Sequence, residues 1–174
     1  DDDVDTLYEA IIKYLGKLSQ MTLINPQAQE LQDLIGIANY LENIGDVVEK
    51  DLLVSARKGM RIGSSISEST ITELRALADE VGRAFDQALI ALDTGDPDDA
   101  VDVFESKKTV MMLAEETLAH IVRRLTVDEP NRVENFQLES DVIETYKRFN
   151  TLTRRIARLA VESYRPDPHG AAEA

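Results

Sequence analysis

The sequence predicts an all-α fold built from two helical bundles that lie side by side. No segment alternates apolar and polar residues with period two over a useful length, so no β-strand is expected. Apolar residues recur instead at alternating spacings of three and four, which is typical of packed helices. Glycine and proline are confined to a few points, and they divide the chain into five long helices. The predicted helices lie near residues 3–23, 26–58, 69–94, 97–126 and 130–164.

Capping residues and prolines mark the predicted helix ends. Asn25 reads as a capping residue, because Pro26 follows it at the first helical position. Thr70 and Glu73 match a capping box. The other helix ends fall at three turns that contain proline, at residues 95–97, 128–130 and 166–168. Residues 166–174 are therefore predicted to be a disordered tail.

The second and fifth helices carry matching apolar seams at a constant offset of 104 residues, as Leu34 and Leu138 illustrate. The same offset places residues 4–18 on residues 108–122, so the sequence predicts an internal repeat. The two units of this repeat are residues 1–66 and 67–165. The second unit contains three helices and the first contains two, so an opening helix of the first unit is expected upstream of Asp1.

Composition limits the classes of function. The chain has 33 acidic and 19 basic residues and a net charge of −14, which disfavours electrostatic binding to nucleic acid or to anionic lipid. The absence of cysteine excludes disulfides, thiolate metal sites and cysteine nucleophiles. No apolar run approaches the roughly 18–20 residues of a membrane span, and the first residues do not resemble a signal peptide.

Two acidic pairs are candidates for a metal site. Glu42 and Asp46 lie one turn apart in the second helix, with Gly45 between them, and Asp1 and Asp5 lie four apart in the first helix. Acids at this spacing repel by about 0.2–0.5 kcal/mol, and a glycine inside a helix costs about 1 kcal/mol relative to alanine. Facing carboxylates would bind a hard or borderline cation, whereas separate pairs would simply be solvated.

The sequence contains no recognised catalytic pattern. His120 follows Glu116 by four positions, whereas di-iron carboxylate bundles use Glu-x-x-His, and His169 lies in the predicted tail. No serine–histidine–acid set, glycine-rich phosphate loop or HExxH motif is present. Nothing therefore indicates an enzyme. Two basic groups are read as solvated helix surfaces: Arg57, Lys58 and Arg61, and Arg148, Arg154, Arg155 and Arg158.

A family resemblance rests on three stretches. Residues 38–51 read "ANYLENIGDVVEKD" and resemble the E-x-x-x-D signature of PhoU proteins, with Asn43 where that family usually has arginine. Residues 1–11, "DDDVDTLYEAI", resemble the partner D-x-x-x-D helix. Residues 144–160, "ETYKRFNTLTRRIARLA", resemble the second repeat of PhoU-like domains that are attached to bacterial sodium/phosphate cotransporters.

The resemblance implies two three-helix bundles, a regulatory role in phosphate uptake and a metal cluster. Its ligands would be Asp1, Asp5, Glu42 and Asp46, and the metal would be iron, zinc, manganese or magnesium. The second unit has too few acids for a second cluster. Its equivalent residues are Glu105, Thr109, Tyr146 and Asn150, or Lys147 and Thr151 in place of the last two after a shift of one.

The function expected from this resemblance is that of a non-catalytic regulatory domain on the cytoplasmic side of the bacterial inner membrane. Its partner would be the transmembrane transporter part of the same chain. The alternatives are a free-standing PhoU-type adaptor between a phosphate transporter and a sensor kinase, and a carboxylate-bridged metal oxidase. Because the first bundle would lack a helix, an apolar face should be uncovered, and self-association is expected.

Overall fold

The computed structural model describes residues 2–163, and every regular element in that range is helical. The predicted all-α class is confirmed. The elements are α1 (Asp2–Leu18), α2 (Asn25–Asp46), a π-helical segment (Val47–Leu52), α3 (Leu53–Arg61), α4 (Glu68–Thr94), α5 (Pro97–Arg124) and α6 (Arg132–Ser163). α2, the π-helical segment and α3 follow one another without a break, so these elements form five rods that correspond to the five predicted helices. Asp1 and the predicted tail at 166–174 lie outside the described residues.

Two of the predicted capping residues are wrong, although both helices begin within one residue of their predicted starts. α4 begins at Glu68 and is capped by Ser67 rather than Thr70, because the Ser67 hydroxyl accepts a hydrogen bond from the Thr70 backbone N–H at 3.2 Å. Asn25 lies inside α2, and the Gln27 side chain accepts a hydrogen bond from the backbone N–H of the capping residue, Ile24. In both cases a neighbouring residue satisfies the free N–H groups of the first turn.

The predicted start at Pro97 is confirmed. Gly95 has a φ of +67°, which is the left-handed conformation that ends α4, and the Asp96 carboxylate caps α5 by accepting from the Asp98 N–H at 2.9 Å. α6 begins two residues after its predicted start, because Asn131 adopts a φ of +56° immediately before it. α1 ends five residues earlier than predicted, at Leu18, where the chain turns.

α6 is the central helix, since it packs against α2, α4 and α5. One core cluster joins α4, α5 and α6 through Leu77, Val110 and Ile143 among others. A second cluster joins α2 and the π-helical segment to the far half of α6 through Ile44, Val47 and Ile156. The second predicted unit is therefore a bundle of three packed helices, while the repeat itself and its unit boundaries stay predictions.

α1 is the least enclosed helix. Within residues 2–163 it packs closely only against α2, and Leu15 is its one buried residue. Leu7, Ile11 and Tyr14 remain between 43% and 63% exposed, which agrees with an apolar face left without a covering helix. The predicted self-association stays a prediction.

α2 and α6 approach closely at Gly36. A Cβ atom on this residue would lie 2.7 Å from Leu159 Cδ1, so a larger side chain would require Leu159 to move. Gly82 on α4 is a natural comparison, because a Cβ atom there would meet no atom within 4 Å. Comparing alanine substitutions at the two helical glycines therefore separates the effect of packing on stability from the effect of backbone flexibility.

The start of α6 contains a buried ion pair. The Arg132 guanidinium hydrogen-bonds to both carboxylate oxygens of Glu139, and the two side chains are 5% and 0% exposed. Glu129, in the turn before α6, lies 3.9 Å from Arg132 and accepts hydrogen bonds from Arg124 at 2.5 and 2.7 Å. Asn135 donates to the Ser65 carbonyl at 3.5 Å. This network ties the end of α5 and the loop after α3 to the first turns of α6.

We expect Glu139→Gln to lower the free energy of unfolding by about 3 kcal/mol, because it removes the buried, directly hydrogen-bonded carboxylate of Arg132 and leaves only the more distant Glu129 beside that charge. Urea denaturation would measure the loss. Glu144→Gln is the control, since the Glu144–Lys147 pair is exposed and should contribute little. The double variant Arg132→Met with Glu139→Leu should recover most of the loss. Equal stabilities of Glu139→Gln and Glu144→Gln would contradict the importance of the buried pair.

Gly82→Ala should stabilise the protein by about 0.5–1 kcal/mol, because alanine lowers the backbone entropy of the unfolded chain without a clash. Gly36→Ala carries the same entropic gain but must displace the methyl end of the Leu159 side chain, so it should gain less than Gly82→Ala. Thermal and urea unfolding should therefore rank Gly36→Ala below Gly82→Ala. The reverse order would show that α2 and α6 do not approach closely at Gly36.

Candidate functional site

The predicted acidic residues of α1 and α2 share one region of the surface with a lysine. The Lys50 ammonium donates a hydrogen bond to the Asp46 carboxylate, and this bond raises the pKa of Lys50. The negative charges of Asp46, Glu42 and Asp5 raise the pKa of Lys50 further. Three of the four predicted ligands therefore act on the same ammonium group, although they come from two helices. Asp1, the fourth, lies outside the described residues.

This arrangement is that of a carboxylate group with an internal counter-ion. Across residues 2–163, no three acidic or histidine side chains converge closely enough to hold a metal ion. A metal at Asp5, Glu42 and Asp46 would require Lys50 to release Asp46 and the α1 carboxylate to move towards α2. The metal site implied by the resemblance stays a prediction, and the described side chains fit a metal only after that rearrangement.

Lys50 also explains how α2 tolerates two acids one turn apart. The repulsion between Glu42 and Asp46 is offset by an ammonium one turn further along the helix. Because the pKa of Lys50 is raised, the contribution of this lysine to stability is present at neutral pH and is lost as the pH rises through its raised pKa.

Polar contacts hold α1 and α2 together beside the acidic residues. The Tyr8 hydroxyl donates a hydrogen bond to the Asn39 side-chain oxygen at 2.5 Å. Asn43 donates to the Asn39 backbone carbonyl at 2.6 Å, so its amide faces its own helix. Gly45 is half-buried between the two acids. The interhelical bond from Tyr8 fixes the position of α1 at the level of Glu42.

A π-helical segment begins immediately after Asp46 and contains Lys50. Its first residue, Val47, is fully buried against α6, and Asp51 accepts a hydrogen bond from Arg148 of α6 at 3.0 Å. π-turns are rare and occur frequently at functional sites. Sequence reasoning missed this segment, because its residues read as an ordinary continuation of the helix. It changes the direction in which the side chains of α3 project.

The equivalent positions of the second unit form a neutral contact. Asn150, the counterpart of Asp46, is buried and donates a hydrogen bond to the Ser106 hydroxyl of α5 at 2.8 Å. Glu105 is exposed and Thr109 is half-buried. The amide–hydroxyl bond joins two helices without any charge. That this unit binds no metal stays a prediction.

A cavity of about 480 Å³ lies where α3 meets the starts of α4 and α6. Its walls are mainly aliphatic, and four polar residues contribute to them: Ser55, Ser64, Glu139 and Tyr146. The Ser64 hydroxyl is buried without a hydrogen-bond partner. Burial and the charge of Asp79 raise the pKa of Tyr146, so its hydroxyl is neutral at neutral pH. The cavity is large enough for a small ligand. Sequence analysis gave no indication of it, since its lining residues come from four separate segments.

The remaining candidates have structural partners. His120 contacts Glu73 of α4 at 3.2 Å, and Ser69 lies 3.3 Å from its other ring nitrogen, so it bridges α4 and α5. Arg148 pairs with Asp51, and Arg155 lies over the Tyr40 ring at 5.6 Å. The expectation that these two arginines form a merely solvated face is therefore incomplete. His169 lies outside the described residues.

Comparisons with known proteins identify relatives at low identity. No family model matches the chain, and no solved structure matches it. The "Putative inorganic phosphate export protein YjbB" of Salmonella typhimurium is 27% identical over 161 residues, which cover 92% of this chain and 30% of the relative. The proteins of the same name from Escherichia coli K12 and Shigella flexneri are 25% identical over the same extent. The chain thus spans about 30% of the length of the curated relatives it matches.

In the described part of the chain, no helix is long and apolar enough to cross a membrane.

Lys50→Gln should lower the melting temperature of the metal-free protein, because it removes the cation that offsets the carboxylates. It should also increase the rise in melting temperature when manganese, iron or zinc is added after chelation. Glu42→Gln should raise the metal-free melting temperature, since it removes an acid without removing the partner of Lys50. Asp46→Asn should raise it less, because it breaks the ion pair.

Lys147→Gln is the matched control for these melts, since it removes a lysine from an exposed ion pair on α6. If the wild type and all variants respond identically to added metal, the acids of α1 and α2 form a solvated face and no site.

Proposed function

We propose that the chain is a PhoU-like, non-catalytic regulatory domain of a phosphate transporter of the sodium/phosphate cotransporter type. One observation carries this proposal: the relatives are named as phosphate exporters, and the chain corresponds to less than a third of their length. The described helices include none that could span a membrane. This is compatible with a part of the protein that regulates transport and does not form the transport path.

The resemblance of residues 38–51 to the PhoU signature supports the finer assignment. The acid group on α1 and α2 comprises residues that this resemblance assigns to the family's metal cluster, and Lys50 pairs with one of them as an alternative cation. Partnership with a transmembrane part of the same chain, on the cytoplasmic side of the bacterial inner membrane, belongs to the same proposal.

The geometry favours regulation over catalysis. Around the acid group, the described side chains offer an ion pair and amide hydrogen bonds, and they offer no nucleophile beside a base. A cation that replaced Lys50 at Asp46 would free the lysine, which lies in the π-helical segment directly before α3. Such an exchange would alter the charge balance at the joint between α2 and α3. Through this exchange, cation binding at Asp46 would act on α3, the end of the rod that lines the cavity.

In proteoliposomes, deleting residues 1–163 from the full-length protein should leave phosphate flux. The rate of that flux should no longer depend on the phosphate concentration on the side of the membrane where the domain lies. Flux should require a sodium gradient, which is tested by replacing sodium with choline. Lys50→Gln in the intact protein should shift the phosphate dependence severalfold, and Lys147→Gln should leave it unchanged. Loss of all flux from a correctly inserted deletion variant would contradict a regulatory role, and so would an unchanged phosphate dependence.

A further inference from the structure

α3 has no buried residue, although four of its nine side chains are apolar. Leu53, Val54 and Met60 are 44%, 48% and 74% exposed. A short helix normally gains its stability by burying one face. The apolar surface of α3 is instead left open at the end of the long rod.

The same helix carries a local positive charge. Arg57, Lys58 and Arg61 are exposed, and none of them forms an ion pair with a described residue. No acid occurs between Asp51 and Glu68, so this stretch has a charge of +3 in a chain whose net charge is −14.

The apolar and basic side chains lie on adjoining strips of α3. Leu53, Ala56 and Met60 face the cavity described above. Val54, Met60 and two of the basic residues line a shallow hollow on the neighbouring side. Met60 belongs to both strips. Apolar side chains flanked by arginine and lysine are the pattern of helices that lie in the interface of a membrane, because the long basic side chains reach the headgroups while the apolar ones enter the acyl boundary.

The acidic character of the whole chain does not cancel this local pattern. At physiological salt the Debye length is about 8 Å, so a headgroup that contacts α3 interacts mainly with the nearest charges. The groove beside Val54 contains three acids, Asp51, Asp141 and Glu144, of which Asp51 is paired with Arg148 and Glu144 with Lys147. This end of the molecule can therefore attract an anionic surface although the chain as a whole is acidic.

We infer that the exposed face of α3 docks on an anionic lipid surface, with Met60 and Val54 entering the interface and Arg57, Lys58 and Arg61 contacting phosphate headgroups. Three basic residues give weak binding in solution. The inference rests on the proposed function in one respect, since attachment to a membrane-embedded transporter would make weak binding sufficient.

The test is vesicle co-sedimentation of the 174-residue chain. Vesicles that contain about a third phosphatidylglycerol in phosphatidylcholine should bind the wild type, and pure phosphatidylcholine vesicles should not. Binding should weaken as salt is raised. The triple variant Arg57→Gln, Lys58→Gln, Arg61→Gln should lose on the order of 100-fold in partition coefficient, because each basic residue near an anionic surface contributes about fivefold. Met60→Ser should lose severalfold at constant salt.

A matched triple variant, Lys13→Gln, Lys17→Gln, Lys107→Gln, removes the same charge from exposed lysines on α1 and α5 and should bind like the wild type. The inference is overturned if the wild type does not bind anionic vesicles, if both triple variants lose binding equally, or if an acidic protein surface is bound while vesicles are not. Because vesicle binding needs no flux, a negative result here leaves the flux experiment on the full-length protein to decide the proposed function separately.

Discussion

The burial of α6 on several sides is the constraint on which the rest of the structure depends. α2, α4 and α5 all pack against this one helix, so the polar side chains that it buries are stabilised when they find partners inside the protein. Glu139 meets Arg132, and Asn150 meets Ser106. These bonds fix the position of α6 along its axis and its rotation about that axis. The neighbouring helices pack against α6 in positions that it determines.

The position of α2 on α6 in turn determines where its charged residues lie. Val47 is buried against Leu152 and Ile156, and Asp51 is held by Arg148, so the π-helical segment is fixed to α6 at both ends. Lys50 lies between these two anchors and faces the acids of α1 and α2. The counter-ion of the acid group is thus supplied by the segment that joins α2 to α3.

The sequence predicted the elements that depend on local signals. The five rods, the turn at Gly95 and the capping of α5 by Asp96 follow from helix periodicity and from proline and glycine, which act within a few residues. Thr70 was mistaken for a capping residue because Ser67, three positions earlier, offers the same chemistry. The sequence predicts Asp5, Glu42 and Asp46 as candidate ligands and does not predict Lys50 as the counter-ion of Asp46, although its spacing of four indicates such a pair. The Arg132–Glu139 pair and the cavity beside α3 depend on tertiary packing, for which one sequence offers no signal.

We propose that cation binding at the acid group is coupled to α3 through the π-helical segment. Amide hydrogen exchange across residues 46–61 tests it most directly, measured with and without manganese after chelation. Manganese is expected to change the protection of backbone amides against exchange in the π-helical segment and in α3. Lys50→Gln alone is expected to reproduce part of this change. Unchanged exchange in both experiments, with the rest of the fold intact, would contradict the coupling.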